Sequence, residues 1–541
     1  MTDRDARRVL TGALVLGALL RAWGLWFGLP HDQARPDESV AVAKALLILQ
    51  GDPNPHFFHW PSLHLYVLAG IYGVARLALR LAGSSPDVFE FSHYALLGRG
   101  YVALAGVLTI PVLYRLAHKV AGPAAASIAA TLLAVAPLHV RDSHFAMTDV
   151  TMTLLVTVSL HLLLVSVTRF DLGWRQQDPA GIRHGIRTMA LAGLVGGLAA
   201  STKYNAAAIL VAAATAQAWL VWRATGRWRP LLWVPSVVFC LCCLVGFVAA
   251  TPFSVLDFER FRTDVAFNFT HLSLGHGPAL GRGWIHHLRF SLPYGLGVPL
   301  FVTGLAGMIT LFWRHPGTAL VLSGFAASFY WSVGSGLTVF ARYIMPLVPL
   351  WCFSAAVLID LAARQIAARL RWRPGLVMAC LTTMVGAPSL VTSAHMDWLL
   401  SRTDTRVLAA RWLTARLPPE ATLHQTGREY VEVEVSSPGL HVWHYDPATE
   451  HFRGATRDML PQWLVLHESP VIEYTRVPPS IQRLARERYR LIKVFAATRA
   501  GSRPEDYDQQ DAFFLPLRNL AAVIRPGTTI SVYMRRDGPG G

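Results

Sequence analysis

The chain has few charged side chains for its length. Lys+Arg and Asp+Glu number 49 and 33 among 541 residues, so 15% of the residues carry a charge, whereas soluble domains average about 25%. The apolar residue types reach 53%, and the mean hydropathy is +0.37. These values exclude a water-soluble protein, a disordered chain, a coiled coil and a collagen.

Cysteine and the common phosphate-binding and protease motifs are also scarce. The five cysteines all lie in apolar runs, so neither a disulfide framework nor an external thiolate metal site is indicated. The sequence has no internal repeat, no glycine-rich phosphate loop, and no pair of histidines at the spacing of a zinc protease helix. Its chemistry must therefore come from other side chains.

Lysine is nearly absent. Only Lys44, Lys119, Lys203 and Lys493 are lysines, so the net charge of +16 comes almost entirely from arginine. A basic balance in a membrane protein can reflect the Lys/Arg excess of cytoplasmic loops. We therefore expect no nucleic-acid partner.

Twelve apolar runs predict membrane helices. They cover residues 9–29, 61–82, 95–117, 122–140, 150–168, 188–202, 205–222, 231–250, 294–313, 318–334, 343–363 and 375–393. If all twelve crossed, basic clusters would face both sides. With 61–82 as an amphipathic helix in the interface, eleven crossings remain, and the clusters at 115–119, 169–187, 223–229, Arg314 and 364–373 all lie inside. A rival arrangement has 61–82 spanning and another run re-entrant.

This topology predicts two domains. Residues 1–393 form the membrane module, with a cytoplasmic N-terminus and long outer segments at 30–94 and 251–293. Residues 394–541 form an extracytoplasmic α/β domain, because the apolar runs there shorten to strand length. We expect strands at Leu440–Tyr445, Gln462–His467, Leu491–Ala496 and Thr528–Met534, and helices near 403–416 and 478–488.

The first outer segment carries an acidic pair, Asp37-Glu38, after Arg35-Pro36. Pro36 disfavours helix at the residue before it. One interpretation therefore places Asp37 at the N-cap of a helix at 38–50. The alternative is a general base or cation site at the mouth of a membrane cavity.

His56 and His59 follow in the same segment. They fit an aromatic belt, or a divalent ion (Mg, Mn or Zn) shared with Glu38.

Other ionisable residues stand at predicted outer ends of spans. Asp149 begins one span and follows Arg141 and His144, where a capping role is the alternative to a polar cavity. Lys203 lies between two short apolar runs, where it either snorkels to the headgroups or binds a lipid-linked phosphate. Arg342 precedes two prolines, and suits either a kinked span or an anion site.

Together these motifs resemble the GT-C membrane glycosyltransferases. The features are the acidic pair, the His-Trp-Pro segment at 59–61, the acid at 149, Thr-Lys-Tyr near 203, and Arg-Tyr-x-x-Pro-x-x-Pro at 342–349. Over about 10–360 the chain looks most like glycosyltransferase family 39, with the protein O-mannosyltransferases and lipid A aminoarabinose transferases. Relatives often have Ser-Arg where this chain has Ser143-His144, so Arg141 or Arg342 would supply the missing cation.

The resemblance implies a function and residue roles. It implies a glycosyltransferase that moves a sugar from a polyprenyl-phosphate donor to a hydroxyl of a protein, lipid or glycan at the extracytoplasmic face. Asp37 would be the catalytic carboxylate with Glu38 beside it, Asp149 a second cavity acid, and Lys203 a ligand of the donor phosphate.

Two other functions stay open from the sequence. The chain could be a transporter or flippase of a lipid-linked or polar substrate, although inverted repeats typical of transporters are not found. Alternatively, the exterior domain could be a tethered partner-binding module. The arginine-rich, lysine-poor usage is typical of a GC-rich bacterium, so we expect an integral protein of the inner membrane.

Overall fold

The computed structural model describes residues 2–223, 230–427, 429–453, 459–472, 475–508 and 510–536. Most of the basic cluster predicted at 223–229 therefore lies outside the described residues. The chain forms two compact units. Unit 1 comprises Met1–Ala22, Ala41–Val88 and Leu97–Ala394, and unit 2 comprises Trp23–Val40, Phe89–Leu96 and His395–Gly541.

Helices dominate up to residue 400. They are α1 Asp3–Ala22, α2 Pro36–Leu49, α3 Leu63–Leu81, α4 Phe91–Ala134, α5 Pro137–Asp142, α6 Thr148–Gln176, α7 Pro179–Ala200, α8 Ile209–Arg223, α9 Val234–Ala250, α10 Phe253–Leu256, α11 Phe258–Leu274, α12 Gly283–His286, α13 Leu292–Leu296, α14 Val298–Arg314, α15 Pro316–Gly334, α16 Val348–Leu370 and α17 Pro374–Leu400. Two 3₁₀ segments, Tyr204–Ala208 and Ala341–Leu347, lead into α8 and α16.

Each of the twelve predicted apolar runs contains a helix. The runs 95–117 and 122–140 fall largely within α4, which is broken at Gly122 by a left-handed φ of 85°. Glycine has no Cβ to clash in that conformation. The first run departs most from the prediction, because α1 ends at Ala22 and turns continue to Pro30.

Within the described residues, six helical segments are long and apolar enough to cross a membrane. They are Leu63–Leu81, Phe91–Ala134, Thr148–Gln176, Tyr204–Arg223, Ala341–Leu370 and Pro374–Thr414. The pair Gly283–Leu296 and Val298–Arg314, bent by 113°, would make a seventh. The count of eleven crossings therefore stays a prediction. So does the interfacial position of 61–82, because Leu63–Leu81 qualifies as a span.

Small residues let the helices of unit 1 approach closely. A Cβ at Gly197 on α7 would lie 2.0 Å from the carbonyl oxygen of Cys243 on α9. A Cβ at Gly307 on α14 would lie 2.0 Å from the carbonyl oxygen of Ser354 on α16. Lipid provides no hydrophobic driving force for the association of helices. Close packing of their backbones is therefore a main source of helix association in membranes.

Unit 2 is built on a mixed β-sheet. Its strands are β1 Thr422–Gln425, β2 His441–Val442, β5 Trp463–Glu468, β6 Tyr489–Phe495 and β7 Thr529–Arg535, in the order β2-β1-β5-β7-β6, and β3 His444–Asp446 pairs with β4 His451–Arg453. β1 runs parallel to β2 and β5, and β7 runs antiparallel to β5 and β6. Helices α18 Thr405–Thr414 and α19 Pro479–Arg488 complete the α/β architecture that the sequence predicted.

The core of the sheet follows from strand alternation. Val465 on β5 and Val532 on β7 are paired in the ladder and completely buried. They pack with Leu413 of α18 and Leu423 of β1 in one apolar cluster. Alternate residues of a strand face one side of a sheet, so α18 covers the face that these residues form.

The segment Trp23–Val40 belongs to unit 2 although it precedes the membrane helices. Arg35 pairs with Asp511 at 2.9 Å, and both side chains are almost completely buried. Arg406, itself held by Asp404 at 2.8 Å, donates a hydrogen bond to the carbonyl oxygen of Gln33 at 3.0 Å. A domain boundary at 393/394 stays a prediction about independent folding, because this unit also takes up the loop that carries Asp37.

Candidate functional site

Three predicted site residues meet in unit 1. The Lys203 ammonium donates to Asp149 Oδ1 at 2.6 Å, and Arg342 Nε lies 4.0 Å from Asp149 Oδ2. Asp149 and Arg342 are almost completely buried, and the Lys203 side chain is 16% exposed. The sequence separates these residues widely, but their predicted position at one face of the membrane is consistent with this contact.

Local structure fixes each member of this cluster. Asp149 lies in the first turn of α6, where the positive end of the helix dipole favours a carboxylate. Lys203 has an extended backbone at the end of the turn between α7 and the 3₁₀ segment Tyr204–Ala208. Arg342 lies in the 3₁₀ segment Ala341–Leu347, ahead of Pro346 and Pro349 in the sequence.

Aromatic rings line the two cations. Lys203 Nζ lies 4.5 Å from the centroid of the Tyr343 ring, and the Arg342 guanidinium lies 4.4 Å from the centroid of Phe340. Cation–π contacts stabilise a partly desolvated cation without neutralising its charge. Tyr343 was not predicted as a site residue, although its place in the Arg-Tyr motif beside Arg342 was a usable signal.

Two cations, Lys203 and Arg342, approach one carboxylate, Asp149, in this cluster. Its combination of an ammonium and a planar guanidinium is well matched to phosphate oxygens.

The predicted outer segments form part of the same region of unit 1. Tyr204 Oη donates to the carbonyl oxygen of Phe58 at 2.8 Å, and the Leu63 amide donates to the carbonyl oxygen of Ser201 at 3.0 Å. Asp264, in the segment 251–293, accepts a hydrogen bond from the Phe58 amide at 2.7 Å. The two long segments predicted to be outside are therefore in direct contact, as a shared face requires.

Arg141 and His144 are engaged locally. Arg141 Nε pairs with Asp142 Oδ2 at 2.9 Å, and both residues are buried. His144 Nδ1 lies 2.9 Å from the carbonyl oxygen of Val140, one turn earlier. Their role as phosphate ligands stays a prediction.

Asp37 and Glu38 lie in unit 2. Helix α2 begins at Pro36, so Asp37 and Glu38 occupy its first turn. The interpretation of Asp37 as the N-cap is therefore wrong, because proline at the first helical position needs no hydrogen-bond partner for its nitrogen and starts the helix itself. Asp37 is half-buried and Glu38 is buried. Their catalytic roles stay predictions.

The two histidines predicted as metal ligands have separate surroundings in unit 1. His56 Nε2 bonds to Asp52 at 2.9 Å and its Nδ1 lies 3.7 Å from Asp257. His59 packs edge-on against Phe57 and Phe267, and burial lowers its pKa. Their role as metal ligands stays a prediction. In the described parts of the chain, the group of three potential ligands that lie together is His31, Asp32 and Glu434.

Long apolar helices, an α/β unit and a buried cluster with two cations agree with the polytopic membrane fold that the resemblance implied. Residues 62–260 match the family model described as dolichyl-phosphate-mannose-protein mannosyltransferase. This match covers less than half of the chain, and within its range it confirms the resemblance that the motifs indicated. The matched range includes Asp149 and Lys203, and excludes Asp37 and Arg342.

Solved structures show the same fold at low sequence identity. The apo oligosaccharyltransferase of Archaeoglobus fulgidus is 14% identical with a TM-score of 0.51, over 77% of this chain and 59% of that one. ArnT from Cupriavidus metallidurans, bound to undecaprenyl phosphate, is 17% identical with a TM-score of 0.50, over all of both chains. The chain spans less than two thirds of the archaeal enzyme. No curated protein matches the chain.

Proposed function

We propose that this protein is a glycosyltransferase that moves a sugar from a polyprenyl-phosphate donor to an acceptor hydroxyl at the extracytoplasmic face of the inner membrane of a bacterium. The observation that carries the proposal is the buried cluster in which Lys203 and Arg342 flank Asp149. The ArnT structure with undecaprenyl phosphate supports a lipid phosphate as its ligand.

The charge of the donor fits the cluster. A sugar joined to a polyprenyl monophosphate is a phosphodiester with one negative charge, which an ammonium and a guanidinium can both contact. We infer that Lys203 and Arg342 bind its phosphate oxygens. Arg141 and His144, which precede Asp149 in the sequence, are further candidates for the same phosphate.

The reaction breaks the bond between the sugar's anomeric carbon and the phosphate oxygen, and forms a bond from that carbon to the acceptor oxygen. The phosphate keeps the electron pair and gains a second negative charge. Cations already in place stabilise this charge as it develops. Asp37 is proposed to take the acceptor's hydroxyl proton as general base, with Glu38 beside it. A divalent cation near Glu38, His56 or His59 is not needed for this charge balance.

Lipid binding tests the donor class. Native mass spectrometry of the purified protein with undecaprenyl phosphate should show one bound lipid, and Lys203→Met should lose most of it. Lys119→Met is the matched control, because Lys119 is exposed on α4. Equal binding by all three proteins would contradict the proposal.

Asp37→Asn separates an enzyme from a carrier. With a radiolabelled polyprenyl-phosphate sugar and bacterial envelope fractions as acceptors, the variant should bind the donor normally and transfer almost no sugar. Full transfer by Asp37→Asn would exclude the general-base role. Loss of lipid movement across proteoliposomes, without any transfer by the wild type, would favour the transporter or flippase.

A further inference from the structure

Three side chains of unit 2 come together where the first outer segment meets the α/β domain. His31 Nδ1 lies 3.5 Å from Glu434 Oε1 and 3.9 Å from Asp32 Oδ1, and one ligand atom of each residue lies within 4.8 Å of the others. Ligand atoms at about 2.1 Å from a tetrahedral zinc ion are themselves roughly 3.4 Å apart. The observed spacing is close to that of a chelating set.

The imidazole of His31 is oriented as a metal ligand would be. Its Nε2 lies 2.8 Å from the carbonyl oxygen of Glu432. A carbonyl can only accept, so Nε2 carries the proton, and the unprotonated Nδ1 is the ring nitrogen that lies near the two acids. The Gln33 amide donates to that lone pair at 3.0 Å, and a cation would take its place. A backbone carbonyl behind the ring is the usual second partner of a metal-bound histidine.

The cluster opens into a cavity of about 480 Å³, whose walls include Ser39 and Tyr430. The His31 side chain is 4% exposed, whereas those of Asp32 and Glu434 are 54% and 52% exposed. An ion can therefore enter from solvent without unfolding the unit, and water can complete its coordination.

We propose that His31, Asp32 and Glu434 form a binding site for a divalent transition-metal ion, with Zn²⁺ as the best match to one imidazole and two carboxylates. The ion would fasten the segment around His31 to the chain at Glu434. Asp37 follows His31 closely in the sequence and lies in the first turn of α2. The metal would therefore help to position the start of α2.

The chain provides a matched control. His56 also lies near two acids, but Asp52 approaches its Nε2 and Asp257 approaches its Nδ1. Acids at opposite ring nitrogens cannot join the imidazole around one ion. Histidine near two carboxylates is therefore not by itself enough, and the two clusters predict different results.

Zinc titration of the tag-free, chelator-treated full-length protein tests the site. Calorimetry should show one Zn²⁺ site in the wild type and in Asp52→Asn, and an affinity at least about tenfold weaker in Glu434→Gln and Asp32→Asn. Zn²⁺ should raise the unfolding temperature of the wild type and not of Glu434→Gln. Both substitutions are at exposed carboxylates, so folding should persist.

Unchanged zinc affinity in Glu434→Gln and Asp32→Asn would overturn the site, as would no Zn²⁺ binding by the wild type. Tighter binding of Mg²⁺ or Ca²⁺ than of Zn²⁺ would overturn the choice of ion class. The readout needs no sugar donor, so it is independent of the proposed transferase activity. Binding of undecaprenyl phosphate by Glu434→Gln tests the proposed donor site separately.

Discussion

Replacing Lys203 by methionine should weaken the binding of undecaprenyl phosphate by about 10- to 100-fold. The substitution removes the ammonium 2.6 Å from Asp149 and keeps the length of the side chain. A hydrogen bond to a charged group contributes about 1.5–3 kcal/mol, and each 1.4 kcal/mol is about tenfold in affinity. The substitution also removes one of the two cations that approach Asp149.

Asp149→Asn removes the carboxylate of the same ion pair and leaves both cations in place. The affinity for phosphate should therefore be equal to or tighter than that of the wild type. If the two variants weakened binding equally, the pair would serve only to hold the helices together. The charge argument would then be refuted.

Stability must be separated from binding in this experiment. Methionine at 203 leaves Asp149 buried with Arg342 at 4.0 Å as its nearest remaining cation among the ion pairs described above. Breaking a buried ion pair typically costs about 3–5 kcal/mol, and we expect the lower end because Arg342 remains. The double variant Lys203→Met with Asp149→Asn no longer contains the buried carboxylate that Lys203→Met leaves without its ammonium partner. It should be more stable than Lys203→Met and should still bind the lipid weakly.

Three further results are expected. Arg35→Met breaks the buried pair with Asp511 and should lower the free energy of unfolding by about 3–5 kcal/mol, whereas a small change in denaturant unfolding would contradict the burial of that pair. Gly197→Ala, whose Cβ would lie 2.0 Å from the Cys243 carbonyl oxygen, should lower the unfolding temperature, and Gly100→Ala, with no atom within 4 Å, should not. Burial lowers the pKa of His467 to about 3, so the unfolded chain takes up the proton first as the pH falls below 6.5; the stabilisation from the neutral ring should fall by about 2–3 kcal/mol between pH 7 and pH 4.5. His467→Gln should flatten that loss in a pH series of thermal unfolding, and an unchanged slope would exclude His467 as its source.

Local patterns in the sequence predicted the elements well. Short apolar runs located β5, β6, β7 and the region of β2 and β3 to within a few residues, for example Gln462–His467 against the observed β5 Trp463–Glu468. The strands β1 and β4 were not predicted. The membrane runs succeeded for the same reason, because each is long enough to be helical on its own. The start of α2 was missed by two residues, because the preference of Pro36 for the first helical position outweighed the capping tendency of Asp37.

The sequence predicted only the part of the site that membrane topology brings together. Charge bias in the loops predicted Asp149, Lys203 and Arg342 at one face of the membrane, and the structure brings these three residues together. No such constraint links His31 to Glu434 or Arg35 to Asp511, which are separated by most of the chain. Those pairs depend on how Trp23–Val40 packs in unit 2, and neither periodicity nor composition encodes that contact.

The charge count also assigns Asp149 a role different from that of a catalytic acid. Its Oδ1 is bonded to Lys203 and its Oδ2 faces Arg342, so both oxygens are directed at cations. A polyprenyl phosphate that has lost its sugar is a monoester, and takes a second negative charge near neutral pH. Without the Asp149 carboxylate between them, the two cations would hold that product more tightly than the donor, and release would become slow. By cancelling one positive charge, Asp149 would leave enough field to stabilise the departing phosphate and too little to retain it. Asp149→Asn should therefore show tight product binding and slow turnover with normal single-turnover transfer, whereas loss of the single-turnover step would return Asp149 to the catalytic residues.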